Sequence, residues 1–287
     1  MIRKLTYALK VVSGRDFAGR NFKVFPDDTF LVSYPKSGNT WARFLLASLV
    51  HPEKVVSFAN IEHLLPDASS QTKHTLKSTP RPRLIKSHEY FDPRYKNVIY
   101  IVRDPRDVVL SQYRFFQMRG KIDDAYSLKD FVSRFIEGSL NNYGSWGENV
   151  ATWLTAPRSG RRFLLLRYED MLRHTQDELV KAAAFLGVSV TPEMLQRCVQ
   201  QGSAERMREL EKKQGKDWVV TKGSRTDIPF VGDAKAGGWK TNLPAEHVAQ
   251  IETAWGTMIQ HLGYELVSGA SPASSTALDA ILEQSTR

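Results

Sequence analysis

The sequence predicts an α/β fold in a single domain, with a central parallel sheet flanked by helices. Short runs rich in apolar residues at 30–34, 97–103 and 162–167, and the short stretch 83–87, have the length of strands. Each run is followed by a stretch carrying helix start or stop signals, and strands alternating with helices build parallel sheets. At 287 residues, 41% hydrophobic and 25% charged, the chain can bury a large core of its own.

The elements follow in order. Pro26-Asp27-Asp28 is a turn leading into the first strand, and Pro35 stops that strand because proline cannot donate to a ladder. Residues 41–50 read as a largely buried helix. Residues 52–82, rich in Pro, Ser, Thr and His, read as a long irregular connection, the kind that usually carries function. Strands follow at 83–87 and 97–103. Asp104 can cap the next helix, Pro105 suits its first turn, and Gly120 ends it. Helices are expected at 127–137 and 143–155, and the fourth strand at 162–167. One helix should then run from 171 to 186 and stop at Gly187. A short helix begins at Pro192, and a charge-dense one spans 203–213. Residues 214–242, with many Gly, Lys and Asp and little periodicity, read as a flexible covering loop. A last helix runs from Pro244 to His261. The expected organisation is a basic segment at 1–23, the domain at 24–267 and a poorly ordered tail at 268–287.

Composition narrows the function. The formal net charge is +9, and residues 1–23 hold six basic side chains against one acid, Asp16. Leu5, Ala8, Leu9 and Val12 there share one helical face. That face suits a helix packed on the domain edge, with weak contact to a membrane surface as the alternative. The rest of the positive charge fits an anionic ligand. No zinc spacing, aromatic-basic repeat or basic recognition helix speaks for nucleic acid. Cys198 is alone, so no internal disulfide is expected, and a reducing cytoplasm is the simplest compartment. No run approaches a membrane-spanning length. The sequence leaves the oligomeric state open.

The chemistry concentrates at the expected strand ends. After the first strand, Ser37-Gly38-Asn39-Thr40 combines a tight turn with a helix start. Backbone N–H groups and the positive end of a helix dipole then meet at one point, which is an anion site, and Lys36 adds a full charge. This is not Gly-x-x-x-x-Gly-Lys-[Ser/Thr], because Lys36 precedes the only glycine of the loop. His88, beyond the second strand, can take a proton from a hydroxyl near neutral pH, and Lys86 beside it can meet developing charge. A merely structural histidine is the bland alternative. Arg103, beyond the third strand, can grip a phosphate by two parallel hydrogen bonds with Ser111 completing the clamp. The alternative is an ion pair of Arg103 with Asp104 or Asp107. In a parallel sheet these ends converge, and ligands bind there.

Three strings carry a resemblance. Tyr34-Pro35-Lys36-Ser37-Gly38-Asn39-Thr40-Trp41 resembles the 5′-phosphosulfate loop of the sulfotransferases that use 3′-phosphoadenosine 5′-phosphosulfate (PAPS). Residues 102–111, Val-Arg-Asp-Pro-Arg-Asp-Val-Val-Leu-Ser, resemble their 3′-phosphate segment, and Arg167-Tyr168-Glu169-Asp170 their Tyr-Glu-Asp segment. The resemblance covers roughly residues 25–265. It implies a P-loop-kinase-like sulfotransferase fold and sulfuryl transfer from PAPS, leaving PAP, to a hydroxyl acceptor, with an amine as second choice. Acceptors could be small molecules, glycans or lipids. It gives His88 the role of base, with Glu89 as rival, and makes Lys36 and Lys86 catalytic. Lys36, Ser37, Gly38, Asn39, Thr40 and Trp41 would bind the cofactor, with Trp41 and Tyr168 on the adenine and Arg103 and Ser111 on the 3′-phosphate. No metal is implied.

The match fails late in the chain. Gly237-Gly238-Trp239-Lys240 resembles the family's Gly-x-Trp-Lys, but Gly232-Asp233-Ala234 stands where the family has Arg-Lys-Gly. Gly202-Ser203-Ala204 replaces its Thr-Ser-Phe, and only Lys240 of its dimer motif remains. Lys235 or Arg225 is expected to supply the missing charge. Two other functions compete: a nucleotide kinase on a similar fold, and a non-catalytic protein that binds PAP or a membrane surface.

Overall fold

The computed structural model describes Ser13 and residues 18–269. The expected N-terminal helical face at residues 5–12 and nearly all of the expected tail lie outside them.

Four strands form one sheet: β1 (Thr29–Ser33), β2 (Leu84–Ser87), β3 (Asn97–Val102) and β4 (Arg162–Arg167), in the order β2-β1-β3-β4. Every pairing is parallel. Phe30 lies opposite Ile85 and Val98, and Val98 opposite Phe163. β1, β2 and β3 are buried on both faces, whereas edge strand β4 is partly exposed; strand residues alternate between two cores, as the two-residue period of a strand requires. Phe30, Val32, Val98, Tyr100 and Val102 join one core, whereas Leu31, Ile99 and Ile101 join the other.

The helices are α1 (Asn39–Val50), α2 (Ile61–Leu64), α3 (Lys73–Ser78), α4 (Pro105–Met118), α5 (Leu128–Glu137), α6 (Trp146–Leu154), α7 (Tyr168–Arg173), α8 (Thr175–Leu186), α9 (Pro192–Gln201), α10 (Ala204–Gln214), α11 (Trp239–Asn242) and α12 (Ala245–His261). Local chemistry explains most boundaries. Asp104 caps α4 by accepting from the Arg106 N–H, with Pro105 at its start. Ser145 and Glu148 form a capping box that starts α6 at Trp146, three residues after the expected 143.

Three expectations need correction. The helix expected at 171–186 is two helices, broken at His174 (φ −133°, ψ 50°), where neither glycine nor proline marks the break. Residues 52–82 contain α2 and α3, and the Thr72 hydroxyl caps α3 by accepting from Thr75 N–H. The segment 214–242 is pinned at several places, Arg119 on the Val220 carbonyl and Arg225 N–H on the Met118 carbonyl among them. Glu211 accepts from the N–H groups of Phe230 and Val231, and Asp107 from those of Gly237 and Trp239. No described helix is long and apolar enough to cross a membrane.

Candidate active site

At the carboxyl ends of β1, β2 and β3 lies a cavity of about 850 Å³. It is lined by Lys36, Gly38, Asn39, Thr40, Trp41, Lys86, His88, Arg103, Ser111 and Tyr168, ten of the thirteen residues expected from sequence. Topology brings them together. Lys36, His88, Arg103 and Tyr168 each follow a different strand, and the parallel register sets those strand ends side by side.

The β1–α1 loop turns on two left-handed residues. Gly38 has φ 92°, and a Cβ there would stand 2.3 Å from Tyr168 Cδ2, so only glycine fits. Lys36 has φ 71°, which is uncommon for a residue with a Cβ and marks a backbone held for a purpose. α1 has no side-chain cap, and its first i→i−4 bond is Ala42 N–H to Gly38 O at 3.1 Å. The preceding N–H groups, from Gly38 through Trp41, therefore have no helical acceptor. Ser37 N–H is used on Tyr34 O, and Ser37 is buried behind the loop rather than on the cavity wall.

Lys36 Nζ sits between two rings, 4.3 Å from the centroid of Phe115 and 4.7 Å from that of Phe230. Burial, then the nearby charges of Arg103, Lys86 and Arg114, pull its pKa down to about 7. Around Lys36 the cations outweigh the opposing carboxylate, Glu211, which suits an anion site. Several buried polar atoms are also without a partner: Ser37 Oγ, Asn39 Oδ1, Arg103 Nε and Gln112 Oε1. Of these, Arg103 Nε is a donor on the cavity wall and suits a phosphate ester, which accepts hydrogen bonds and needs cations, whereas the two amide oxygens only accept.

His88 Nδ1 lies 2.7 Å from Ser33 O. A carbonyl only accepts, so Nδ1 carries the proton and Nε2 is left as the acceptor nitrogen. Burial and then Lys86 push the His88 pKa down to about 3, so the ring is neutral at physiological pH. The rival base, Glu89, lies off the cavity wall, 3.7 Å from Arg20. Lys86 is not a free cation. Its ammonium bonds Asp67 at 2.5 Å, with both side chains buried.

Arg103 stacks over the Tyr168 ring at 4.3 Å and donates to the carbonyls of Lys36 and Lys235, each at 3.3 Å. The alternative ion pair is loose: Asp107 is 3.8 Å away with its oxygens on Gly237 and Trp239, and Asp104 pairs with Arg106. Trp41 meets Tyr168 edge-on at 5.7 Å and donates its Nε1–H to Gly202 O.

Arg225 and Lys235 are off the cavity wall. Arg225 is held by Asp124 and Asp227, and the Lys235 side chain is exposed. Sequence reasoning also missed several residues. Asp67 sits in a segment read as irregular. Phe115 and Phe230 read as core or loop. Asn141 and Tyr143, also on the wall, stand in a helix connection with no motif. The usable signal for Asp67 was its isolation as a carboxylate amid apolar and hydroxyl residues. Among the described residues, no cluster of three or more metal-ligating side chains exists.

The comparisons with known proteins point to one family. The sulfotransferase domain model matches residues 26–263. Mouse sulfotransferase 1A1 is 31% identical over 250 residues, covering 81% of this chain and 84% of that protein. Human sulfotransferase 2A1 is 30% identical over 247 residues, covering 80% and 82%. A solved mouse sulfotransferase, SULT7A1 complexed with PAP, superposes with a TM-score of 0.67 at 20% identity, covering 92% of this chain and 90% of that one. Retinol dehydratase in complex with androsterone and PAP gives 0.66 at 20%, covering 88% and 85%. The chain belongs to the sulfotransferase family.

Proposed function

We propose that this sulfotransferase moves a sulfuryl group from PAPS to a hydroxyl acceptor, with His88 as general base. One observation carries the reading. A neutral imidazole with its acceptor nitrogen free lines the same cavity as Lys36 and the uncapped start of α1. PAPS, when bound, supplies an activated sulfuryl group and a phosphate that takes back the bond's electron pair.

The chain's own residues do the rest. His88 Nε2 accepts the acceptor's proton as its oxygen bonds to sulfur. Lys36 meets the charge that appears on the leaving phosphate oxygen. The N–H groups of Gly38, Asn39 and Thr40 hold the 5′-phosphate, and Arg103 with Ser111 holds the 3′-phosphate. Trp41 and Tyr168 take the adenine. Anions in the cavity also raise the His88 pKa from its value in the free protein, which makes it a better base. The mechanism is positioning plus electrostatics.

The acceptor side contains Ser69, Tyr143, Phe116 and Val219, a mostly apolar lining that suits a small hydroxyl-bearing molecule. The retinol dehydratase structure contains androsterone, an acceptor-sized ligand of that kind. PAP should raise the melting temperature without added metal. Stabilisation by ATP with Mg²⁺ but not by PAP would overturn the reading in favour of a kinase. His88→Ala should lose turnover by about a hundredfold while PAP binding stays near wild type. Turnover at wild-type rate in His88→Ala would reassign the base, and Glu89→Ala would be the next variant to read.

A further inference from the structure

The buried Lys86–Asp67 pair has no part in the mechanism above. Lys86 Nζ and Asp67 Oδ2 are 2.5 Å apart, and both residues line the cavity. Asp67 is fixed from several sides. Its Oδ1 accepts from Ser69 N–H at 2.9 Å and from the Ser69 hydroxyl at 2.7 Å, and its N–H donates to Glu62. Its backbone forms a parallel bridge opposite Lys86. Lys86 N–H donates to Pro66 O at 2.8 Å, and Ala68 N–H to Lys86 O at 3.0 Å. Residues 66–68 thus add a short fifth rung beside β2, and the carboxylate is locked in register with the lysine it binds.

The neighbourhood of His88 gives this pair a consequence. The charges acting most strongly on His88 are Lys86 on β2, Asp67 on the 66–68 segment and Lys36 on the β1–α1 loop. The Tyr143 ring lies 5.5 Å away, and the Ser33 carbonyl holds Nδ1. Arg43, paired with Glu62, stands behind Asp67. Two cations, Lys86 and Lys36, act on the imidazole, and Asp67 is a carboxylate that opposes them. Lys86 pushes the His88 pKa down and Asp67 pulls it up. Burial alone would raise Asp67, but Lys86 and then Arg43 outweigh it and hold the carboxyl well below its usual range, so it stays charged.

We propose that Asp67 is a positioning residue for the reaction: it anchors Lys86 in the cavity wall and keeps a balancing negative charge beside His88. Without it, Lys86 would lose its tether and the imidazole would lose a charge that opposes the cations. With it, part of the effect of Lys86 on the basicity of His88 is offset. The inference rests on the sulfotransferase reading for its catalytic meaning, while the charge arrangement is a property of the chain.

The test is an NMR titration of histidine-labelled protein, free and with PAP, in which His88→Ala identifies the His88 signals. Lys86→Gln leaves the Asp67 carboxylate unbalanced, so the His88 pKa should rise by about one unit or more. Adding Asp67→Asn should remove that rise, and Asp67→Glu alone should titrate as wild type. PAP affinity in Asp67→Asn, measured by calorimetry, should stay within about threefold of wild type, because the carboxylate acts beside His88 rather than on the nucleotide. If Lys86→Gln and the Lys86→Gln/Asp67→Asn protein titrate alike, His88 does not sense Asp67 and the proposal fails, even where wild type binds PAP. Failure of wild type to bind PAP would instead sink the cofactor reading, and the free-protein titration would still decide the role of Asp67. Lys86→Met repeats the measurement should Lys86→Gln not fold.

Discussion

Two segments of this chain face the same cavity, and they are built to different standards. The β1–α1 loop, residues 34–41, is closed in by Tyr168 and grows out of a fully buried strand. The covering segment around residues 230–235 is tied down by Glu211 through Phe230 and Val231, yet Gly232 has nothing nearer than Arg114 Nη1 at 3.9 Å from a would-be Cβ. Each segment contains one non-glycine residue at positive φ, and these are the two found among the described residues: Lys36 (71°) and Ala234 (53°). At Lys36 the strain places an ammonium between two rings. At Ala234 it places a methyl group where the family carries glycine, and no charge comes with it. By resemblance to the family, the residues expected for one half of the phosphate grip are present in this chain, and the cations expected for the other half are not.

Matched glycine substitutions should give the largest contrast. In Gly38→Ala the new Cβ meets the Tyr168 ring at 2.3 Å and the backbone must hold φ 92° with a side chain, so loop and ring cannot both keep their places. PAP affinity should fall by about a hundredfold or more, since a misplaced loop loses several charge-assisted bonds at once. Gly232→Ala should change it by less than about threefold. Calorimetric titration of PAP into both proteins reads the difference. Equal losses would mean that the covering segment is as tightly built as the loop.

Next in size is the 3′-phosphate contact assigned to Arg103. Arg103→Gln should weaken PAP by about ten- to a hundredfold, the worth of a charge-assisted contact. It should weaken adenosine 5′-phosphosulfate, which lacks the 3′-phosphate, far less. If both nucleotides suffer equally, Arg103 supports the Tyr168 ring that it stacks upon rather than the phosphate.

The same contrast explains what could be read in the sequence. β1 and β3 were legible because each is a short, largely apolar run of the kind a strand buried on both faces requires, and β4 because of its Phe-Leu-Leu-Leu core; β2, Leu-Ile-Lys-Ser, was read from its place before His88. The β1–α1 loop was legible because small residues, a proline and a lysine must follow one another to make that turn. Residues whose role depends on distant partners were not legible. Asp67 acquires meaning from Lys86, nineteen positions away in the chain, and Phe230 from Lys36. The break at His174 left no glycine or proline to announce it. The charge placed on Arg225 or Lys235 came from counting cations along a loop. Counting could not reveal that Asp124 and Asp227 already hold Arg225.

A pH-dependent effect follows from the crowding of Lys36. Its pKa is lowered from the ordinary 10.5 to about 7 by burial and the neighbouring cations, so the free protein loses this proton as pH rises through about 7. A bound phosphate restores the charged form, so binding takes up a proton between about pH 7 and 10.5. PAP affinity should therefore fall as pH rises through that window, by up to about tenfold per unit at the steepest. The free protein should gain stability over the same range, because the unfolded chain binds this proton more tightly. Lys36→Met should flatten both profiles. A pH-independent PAP affinity in wild type would mean that Lys36 is already charged in the free protein.

The smallest effects are expected where the sequence looked for a replacement clamp. Arg225 is a poor candidate: Asp124 and Asp227 lie within 2.6 Å of its guanidinium, and reaching a phosphate would mean giving up both. Arg225→Ala should leave PAP affinity within about twofold of wild type. Lys235 differs, because its exposed ammonium is joined to a backbone carbonyl that already accepts from Arg103. Lys235→Ala keeps that carbonyl and removes only a solvent-screened charge, so PAP should weaken by about threefold at low salt and less at high salt. Calorimetry at two ionic strengths separates the cases. A tenfold loss in Lys235→Ala that survives high salt would mean that the side chain folds onto the phosphate in the complex, and the two halves of the grip would then be matched after all.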